Sequence, residues 1–396
     1  MNIPFNKPLV TGGEAAALRK LAESGKLGAG GEYTGKCEAW LRQNLKAPAA
    51  FLTASCSGAL EMAVILADVG PGDEVIMPSF TFPSMANAVA LRGGVPVFVD
   101  IRPDTLNIDE SLIEAAIGPR TKAIMVMHYA GVACDMDRIN AIAKRNGLFV
   151  IEDAAHALLA DSQGHPLGSR GHMGAISFHE TKNIHCGEGG ALLLNEPNLA
   201  KEAEIVRDKG TDRAAFIRGD IHKYSWVELG SSYGPSELQA AWLYAQFSSA
   251  RNATHRRAKI WAAYHEALEC LEREGFMRRP IVPDGCAHNS HIYYILLRDE
   301  LQRSQVMEHL RKRGIDTVFH FSPLHNSPAG IRYGRTVGAM RNTEILASRL
   351  LRLPLWIGIE QYVPEIAGAL NTYFSDFQGS SESNRQHSGF PENILA

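Results

Sequence analysis

From about residue 50 to 195, short apolar runs alternate with stretches whose apolar residues recur at helical spacing. The runs lie at 74–77, 95–99, 123–127, 148–151, 174–178 and 191–194. Several are continuously apolar rather than alternating, as expected of strands covered on both faces. Between them the spacing predicts helices over 58–68, 83–91, 111–117 and 135–146, the third opening with Ser111 and Glu114 in capping-box positions. This alternation specifies an α/β fold with a mostly parallel central sheet and helices on both faces. Ligands of such sheets bind beyond the carboxyl ends of the strands.

A long helical region, 236–274, follows, with Leu238, Ala241, Trp242 and Ala245 on one face. After Pro280 the pattern turns to strand (291–297), helix (301–313) and strand (317–321), then to helices at 343–351 and 361–374. The expected organisation is a large domain over 1–250 with an N-terminal arm, and a smaller α+β domain over 251–377. The stretch 378–396 is rich in Ser, Asn, Gln and Gly, a composition that predicts disorder.

Charge and cysteine usage narrow the class. Forty basic against 43 acidic residues give a net charge of −3, which argues against a nucleic-acid-coating protein. Six scattered cysteines with no CxxC pair read as reduced thiols and offer no zinc site. The N-terminus lacks the apolar core of a signal peptide, and no apolar run reaches the roughly 18–20 residues of a membrane span. The expectation is a cytoplasmic protein with no membrane partner.

Three segments could carry chemistry. Thr53-Ala-Ser-Cys-Ser-Gly58 puts small and hydroxyl residues at the start of a helix, where backbone N–H groups and the helix dipole favour an anion. Ile151-Glu-Asp-Ala-Ala-His156 places two carboxylates and an imidazole at the end of a buried strand, which is costly unless something positive pairs with them. Ala175-Ile-Ser-Phe-His-Glu-Thr-Lys-Asn183 sets Lys182 within one turn of a strand end, and a desolvated lysine amine becomes a nucleophile. Each also has a plainer reading: an ordinary N-cap, a cap with a solvated acid, a surface lysine. His179 and His185 do not match a metal pair, so no metal site is expected. Adjacent strand ends would gather the three segments at one crevice.

Taken in this order, the segments resemble the DegT/DnrJ/EryC1/StrS family of fold-type I aminotransferases, which act on nucleotide-linked keto sugars. The resemblance runs from Ile3 to about Phe374. It is carried by Ser55 to Leu60, Pro78-Ser-Phe-Thr-Phe82, Val97-Phe-Val-Asp100, Glu152-Asp-Ala-Ala-His156, Ser177-Phe-His-Glu-Thr-Lys-Asn183 and Gly187-Glu-Gly-Gly190. It implies pyridoxal 5′-phosphate as cofactor, Lys182 as its Schiff-base lysine, Asp153 as partner of the pyridinium nitrogen, and His156 as support beside it. It further implies Ser177, Ser57 and the Cys56 backbone at the phosphate, and Phe82 stacked on the ring. Glutamate, giving 2-oxoglutarate, would be the donor and a nucleotide-linked 4-keto-6-deoxy sugar the acceptor. The implied assembly is a homodimer with shared active sites.

Two departures qualify the carry-over. Where many relatives read Gly-x-Asn-Tyr-Arg, this chain reads Gly230-Ser-Ser-Tyr-Gly234. Ser232 then stands for an asparagine that reaches the partner's phosphate, and Gly234 for an arginine available to an anionic substrate. Arg207, Lys209, Arg213 and Arg218 are candidate replacements. His320 and His325 match a segment lining the sugar pocket in relatives, or are structural histidines beside a proline turn, and Lys26 and Gly28 are weaker nucleotide contacts. A cofactor-dependent sugar dehydratase, which carries histidine at the lysine position, disagrees with Lys182. A nicotinamide oxidoreductase lacks its Gly-x-Gly-x-x-Gly here. A non-catalytic module would not need Asp153, His156 and Lys182 together.

Overall fold

The computed structural model describes residues 2–381. Its centre is an eight-stranded sheet. In spatial order the strands are Ala49–Thr53, Gly190–Leu194, Met173–Ser177, Phe149–Asp153, Thr121–Met127, Glu74–Pro78, Val95–Val99 and the two-residue Arg335–Thr336. All neighbours pair in parallel except around Gly190–Leu194, which runs antiparallel to both of its neighbours. Helices cover both faces, and their apolar sides form separate buried clusters. Met77, Met125, Ile151 and Leu192 look to one side. Ile76, Val97, Ile124 and Val150 look to the other, alternating residue by residue along the same strands.

Six expected strands are present with ends moved by a residue or two. Ala49–Thr53 was not among them: five residues opening on two alanines give little strand signal. The helices Glu14–Ser24 and Glu32–Leu45 also went unpredicted. Both start after glycine, with no side-chain cap of their own. The second is capped from a distance: the buried Glu237 carboxylate accepts from the N–H groups of Gly31, Tyr33 and Thr34.

Four expectations are corrected. Asp109, not Ser111, caps the turn that follows Val95–Val99, accepting from Ser111 N–H. The 236–274 region is three helices, Glu237–Phe247, Ala250–Ala267 and Glu269–Arg273. Residues 317–321 form no strand: only Val318 bridges to Arg352, after which Leu324 N–H is tied to Ser79 O at the main sheet. The helix expected over 343–351 ends at Arg349, and Leu350–Leu353 becomes a strand antiparallel to Tyr293–Leu296. The last helix, Val363–Ser381, runs into the stretch expected to be disordered, and 382–396 lie outside the described residues.

The Tyr293–Leu296 and Leu350–Leu353 pair has two working faces. Tyr293, Ile295, Leu351 and Leu353 pack into a third cluster with Ile260, Leu310 and Phe374. Tyr294, Leu296 and Leu350 join the core of the large sheet. Strand alternation therefore turns Arg352 away from that third cluster and toward the large sheet.

Candidate active site

The carboxyl ends of Ala49–Thr53, Phe149–Asp153 and Met173–Ser177 lie along one edge of the sheet. Gly190 opposes both Thr53 and Ser177 there. A Cβ on Gly190 would sit 2.4 Å from Cys56 N, so only glycine lets the two backbones come this close. A cavity of about 450 Å³ opens at this edge, within the range of small-molecule sites. All three segments singled out in the sequence reach it.

The first supplies the start of a helix, Cys56–Leu66, capped by Ser55, whose side chain accepts from Gly58 N–H at 3.1 Å. Ser57 Oγ lies 2.6 Å from Ser84 Oγ, at the start of the next helix, Pro83–Ala90. With Ser177, these hydroxyls and free helix-end N–H groups make an anion cradle. Ser84 escaped the sequence reading because its segment carries no motif. Phe82 is 56% exposed and lines the cavity mouth.

Lys182 sits in the loop joining two antiparallel strands, its backbone held by a hydrogen bond to His179 O. Surrounding protein pushes its amine from the ordinary 10.5 down to about 8; the nearby Cys56 and Asp153 oppose that shift, and the charge of Arg352 adds to it. No carboxylate among the described residues lies within ion-pair distance of it. Near neutral pH a useful fraction of such an amine is unprotonated and nucleophilic.

The consecutive acids of the Phe149–Asp153 strand have opposite fates. Glu152, on the face away from the cavity, is saturated: it bonds His128 Nε2 at 2.7 Å and accepts from the N–H groups of Gly168, Arg170 and Gly171. Burial alone would raise its pKa, but these bonds outweigh that and hold it low. Asp153 faces the cavity and accepts from Ala155 N–H at 3.0 Å. Burial raises its pKa, opposed by that single hydrogen bond and by the charges of Lys182 and His128. Asp153 has acceptor capacity to spare; Glu152 has none. His156, beside it, is held neutral by burial and by the charges of Lys182 and Arg352. Its ring stacks parallel to that of His320 at 6.1 Å.

The wall facing this edge was not legible in the sequence, apart from His320. It consists of Phe5, Arg257, His291, His320, Phe321 and Arg352. Phe5 belongs to an arm whose Ile3 pairs with Ile315 and whose Pro4 carbonyl accepts from Trp356 Nε1. Arg257 donates from Nε to Ser290 O and from Nη2 to His291 O.

Three residues expected near the site, His325, Lys26 and Gly28, do not line the cavity, nor does Ser232, which was expected at the partner's site. His325 bonds Ser79 Oγ at 2.7 Å and Glu344 at 3.2 Å, so its ring is engaged in packing. Lys26, Gly28 and Ser232 are exposed outside it. The four candidate replacement cations are all paired elsewhere: Arg207 with Glu38, Lys209 and Arg213 with Asp208, Arg218 with Glu204 and Asp220. Among the described residues no cluster of His, Cys, Asp and Glu could hold a metal ion, and no helix is long and apolar enough to cross a membrane.

Comparison with known proteins identifies the fold and the family. An aminotransferase TlmJ from Streptoalloteichus hindustanus is 29% identical, with a TM-score of 0.87 over 95% of this chain and 100% of that one. A DegT DnrJ EryC1 StrS aminotransferase from Brucella abortus is 31% identical, with a TM-score of 0.83 over 91% and 95% of the two chains. The putative sugar aminotransferase Spr1654 from Streptococcus pneumoniae, in its PMP form, is 25% identical, with a TM-score of 0.88 over 95% and 100%. The model of the DegT/DnrJ/EryC1/StrS aminotransferase family matches residues 10–370, and the chain belongs to that family.

Proposed function

We propose that the chain uses pyridoxal phosphate to move an amino group from glutamate to the C4 keto group of a nucleotide-linked 4-keto-6-deoxy sugar. The observation that carries this is the pairing, in one cavity, of an unpartnered lysine amine lowered to about 8 with a buried aspartate that keeps acceptor capacity. The residues fit the cofactor's three polar features. The hydroxyls and helix N-terminus at Ser55, Ser57, Ser84 and Ser177 suit a phosphate, Asp153 a ring N–H, and Lys182 an aldehyde. When bound, the cofactor supplies an electron sink conjugated to the reacting amine. Asp153 would keep the ring nitrogen protonated, His156 would brace that end, and Phe82 would cover a ring face. Freed from the cofactor by the incoming amine, Lys182 would move the proton between the substrate carbon and the cofactor carbon. The PMP form of a relative supports the cofactor assignment.

For the substrate, Pro71-Gly-Asp-Glu-Val-Ile-Met-Pro-Ser79, Arg102-Pro-Asp-Thr105 and His128-Tyr-Ala-Gly-Val-Ala-Cys134 resemble dTDP-4-amino-4,6-dideoxygalactose transaminase, of enterobacterial common antigen synthesis. We take dTDP-4-keto-6-deoxyglucose as the acceptor. A cytoplasmic homodimer is part of the same reading. Phe216, Ile217, Tyr224, Trp226, Val227 and Leu229 form an exposed apolar stretch suited to a subunit interface, and Ser232 adjoins it, placed to serve a neighbouring site. Incubation with glutamate and dTDP-4-keto-6-deoxyglucose should give 2-oxoglutarate and a sugar aminated at C4. An amine at C3 would remove the substrate assignment, and no glutamate-dependent turnover on any keto sugar would remove the function.

A further inference from the structure

We propose that Arg352 is the anion anchor of the cavity and holds the α-carboxylate of the amino donor. The proposal deepens the transaminase reading and rests on it. Arg352 lies on the Leu350–Leu353 strand, on the face turned toward the large sheet, and its side chain lines the cavity. The residue is half-buried at the cavity wall with its Nε fully buried, and no carboxylate among the described residues lies within ion-pair distance of it. A buried cation without a counter-charge is costly, and the cost is relieved when an anion arrives.

The guanidinium is held ready for one. Its Cζ lies over the Phe5 ring, 4.8 Å from the centroid, and Nη1 donates to His320 Nε2 at 2.7 Å. That bond requires Nε2 of His320 to be unprotonated. Burial, with the charges of Arg352 and Lys182, keeps the ring neutral, so its proton is on Nδ1, which faces Tyr129 Oη at 3.4 Å. The relay from Arg352 through His320 to Tyr129 therefore contains no carboxylate. Nε of Arg352 is buried and has no acceptor. Burial lowers the guanidinium only to about 10, so it stays charged at neutral pH. A planar, charged fork fixed on one side suits a carboxylate or a phosphate oxygen pair.

Position decides between these. Arg352 donates to His320, whose ring stacks on that of His156 beside Asp153, so it lies at the reacting end of the cavity. The donor's α-carboxylate is one bond from the carbon bearing the transferred amine. The diphosphate of a sugar nucleotide is across the sugar ring from C4, and the cofactor phosphate has its own cradle at Ser55 and Ser57. Arg257, the other arginine of this wall, has two of its donors committed to the Ser290 and His291 carbonyls and acts as a brace.

The test compares holoenzyme of the wild type, Arg352→Met and Arg352→Lys, with the cofactor absorbance band confirming a loaded site in each. Glutarate, a dicarboxylate with no amine, is titrated by calorimetry, and dTDP is titrated in parallel. Arg352→Met should weaken glutarate on the order of 100-fold, as expected for losing a buried charged pair, and leave dTDP within about twofold. Arg352→Lys should recover part of the loss, since it returns the charge without the fork. In the glutamate half-reaction, kcat/KM should fall by a similar factor for glutamate but hardly change for 4-aminobutyrate, which lacks the α-carboxylate. Weakened dTDP with unchanged glutarate would assign the arginine to the diphosphate and overturn the proposal. Unchanged binding of both would overturn it outright. A wild type inert to glutamate would sink the functional reading, while glutarate binding would still decide the role of Arg352.

Discussion

The two walls of the cavity are built in different ways. The edge carrying Lys182, Asp153 and the serine cradle is made from strand ends of one sheet, and each side chain is placed by a strand register or a helix start within a few residues of it. The opposing wall gathers Phe5, Arg257, His291, His320 and Arg352 from five separated places in the chain. The first wall reads as short contiguous motifs; the second has no motif, because its side chains reach the cavity from otherwise ordinary helices, strands and an arm. The edge suits a group that is always the same, and the other wall is where substrate choice can be set.

The difference can be broken most sharply at Lys182. Lys182→Ala should lower turnover by about 10⁴-fold or more, since it removes the nucleophile and the proton carrier together; steady-state assays at saturating cofactor check this. Asp153→Asn keeps the shape but not the charge and should cost on the order of 10²–10³ in kcat. The neighbouring acid should behave otherwise. Glu152→Gln sets an amide N–H₂ against backbone donors, so it should lower stability by about 1–3 kcal/mol, read as a fall in melting temperature, while activity in the cold stays within a few-fold. If Glu152→Gln abolished turnover without destabilising the fold, the division of the strand into a chemical face and a structural face would be wrong.

The lysine also makes a pH prediction. In cofactor-free protein, acylation of Lys182 should rise with pH and level off above a midpoint near 8, because only the unprotonated amine reacts; an ordinary lysine would still be rising toward 10.5. The smallest effect is expected at the exposed cations. Lys209→Ala, whose partner Asp208 is also bonded to Arg213, should leave kcat/KM for both substrates within about twofold.

How much was readable followed from where the determining contacts lie. The strands over 74–78 and 95–99 are apolar on both faces and announce themselves. The helix Glu32–Leu45 does not, because its cap is Glu237, some two hundred residues away. His320 was selected because its segment resembles one lining the sugar pocket in relatives, but the partner that gives it a purpose, Arg352, lies in the run 350–353, whose first two residues were read as the end of a helix. That run is a strand because it pairs with Tyr293–Leu296, a long-range contact no local pattern records. The arginine missing at Gly234 was sought among nearby cations in sequence. Each of those already has an acid, whereas Arg352, which has no ion pair among the described residues, is more than a hundred residues further on.

The central claim is that Lys182 carries the cofactor. Purified protein loaded with pyridoxal phosphate, reduced with borohydride and digested, should show the added cofactor mass on the peptide containing Lys182, and Lys182→Ala should show none. Cofactor mass on a different lysine, or a reduced wild type with no added mass, would contradict the account.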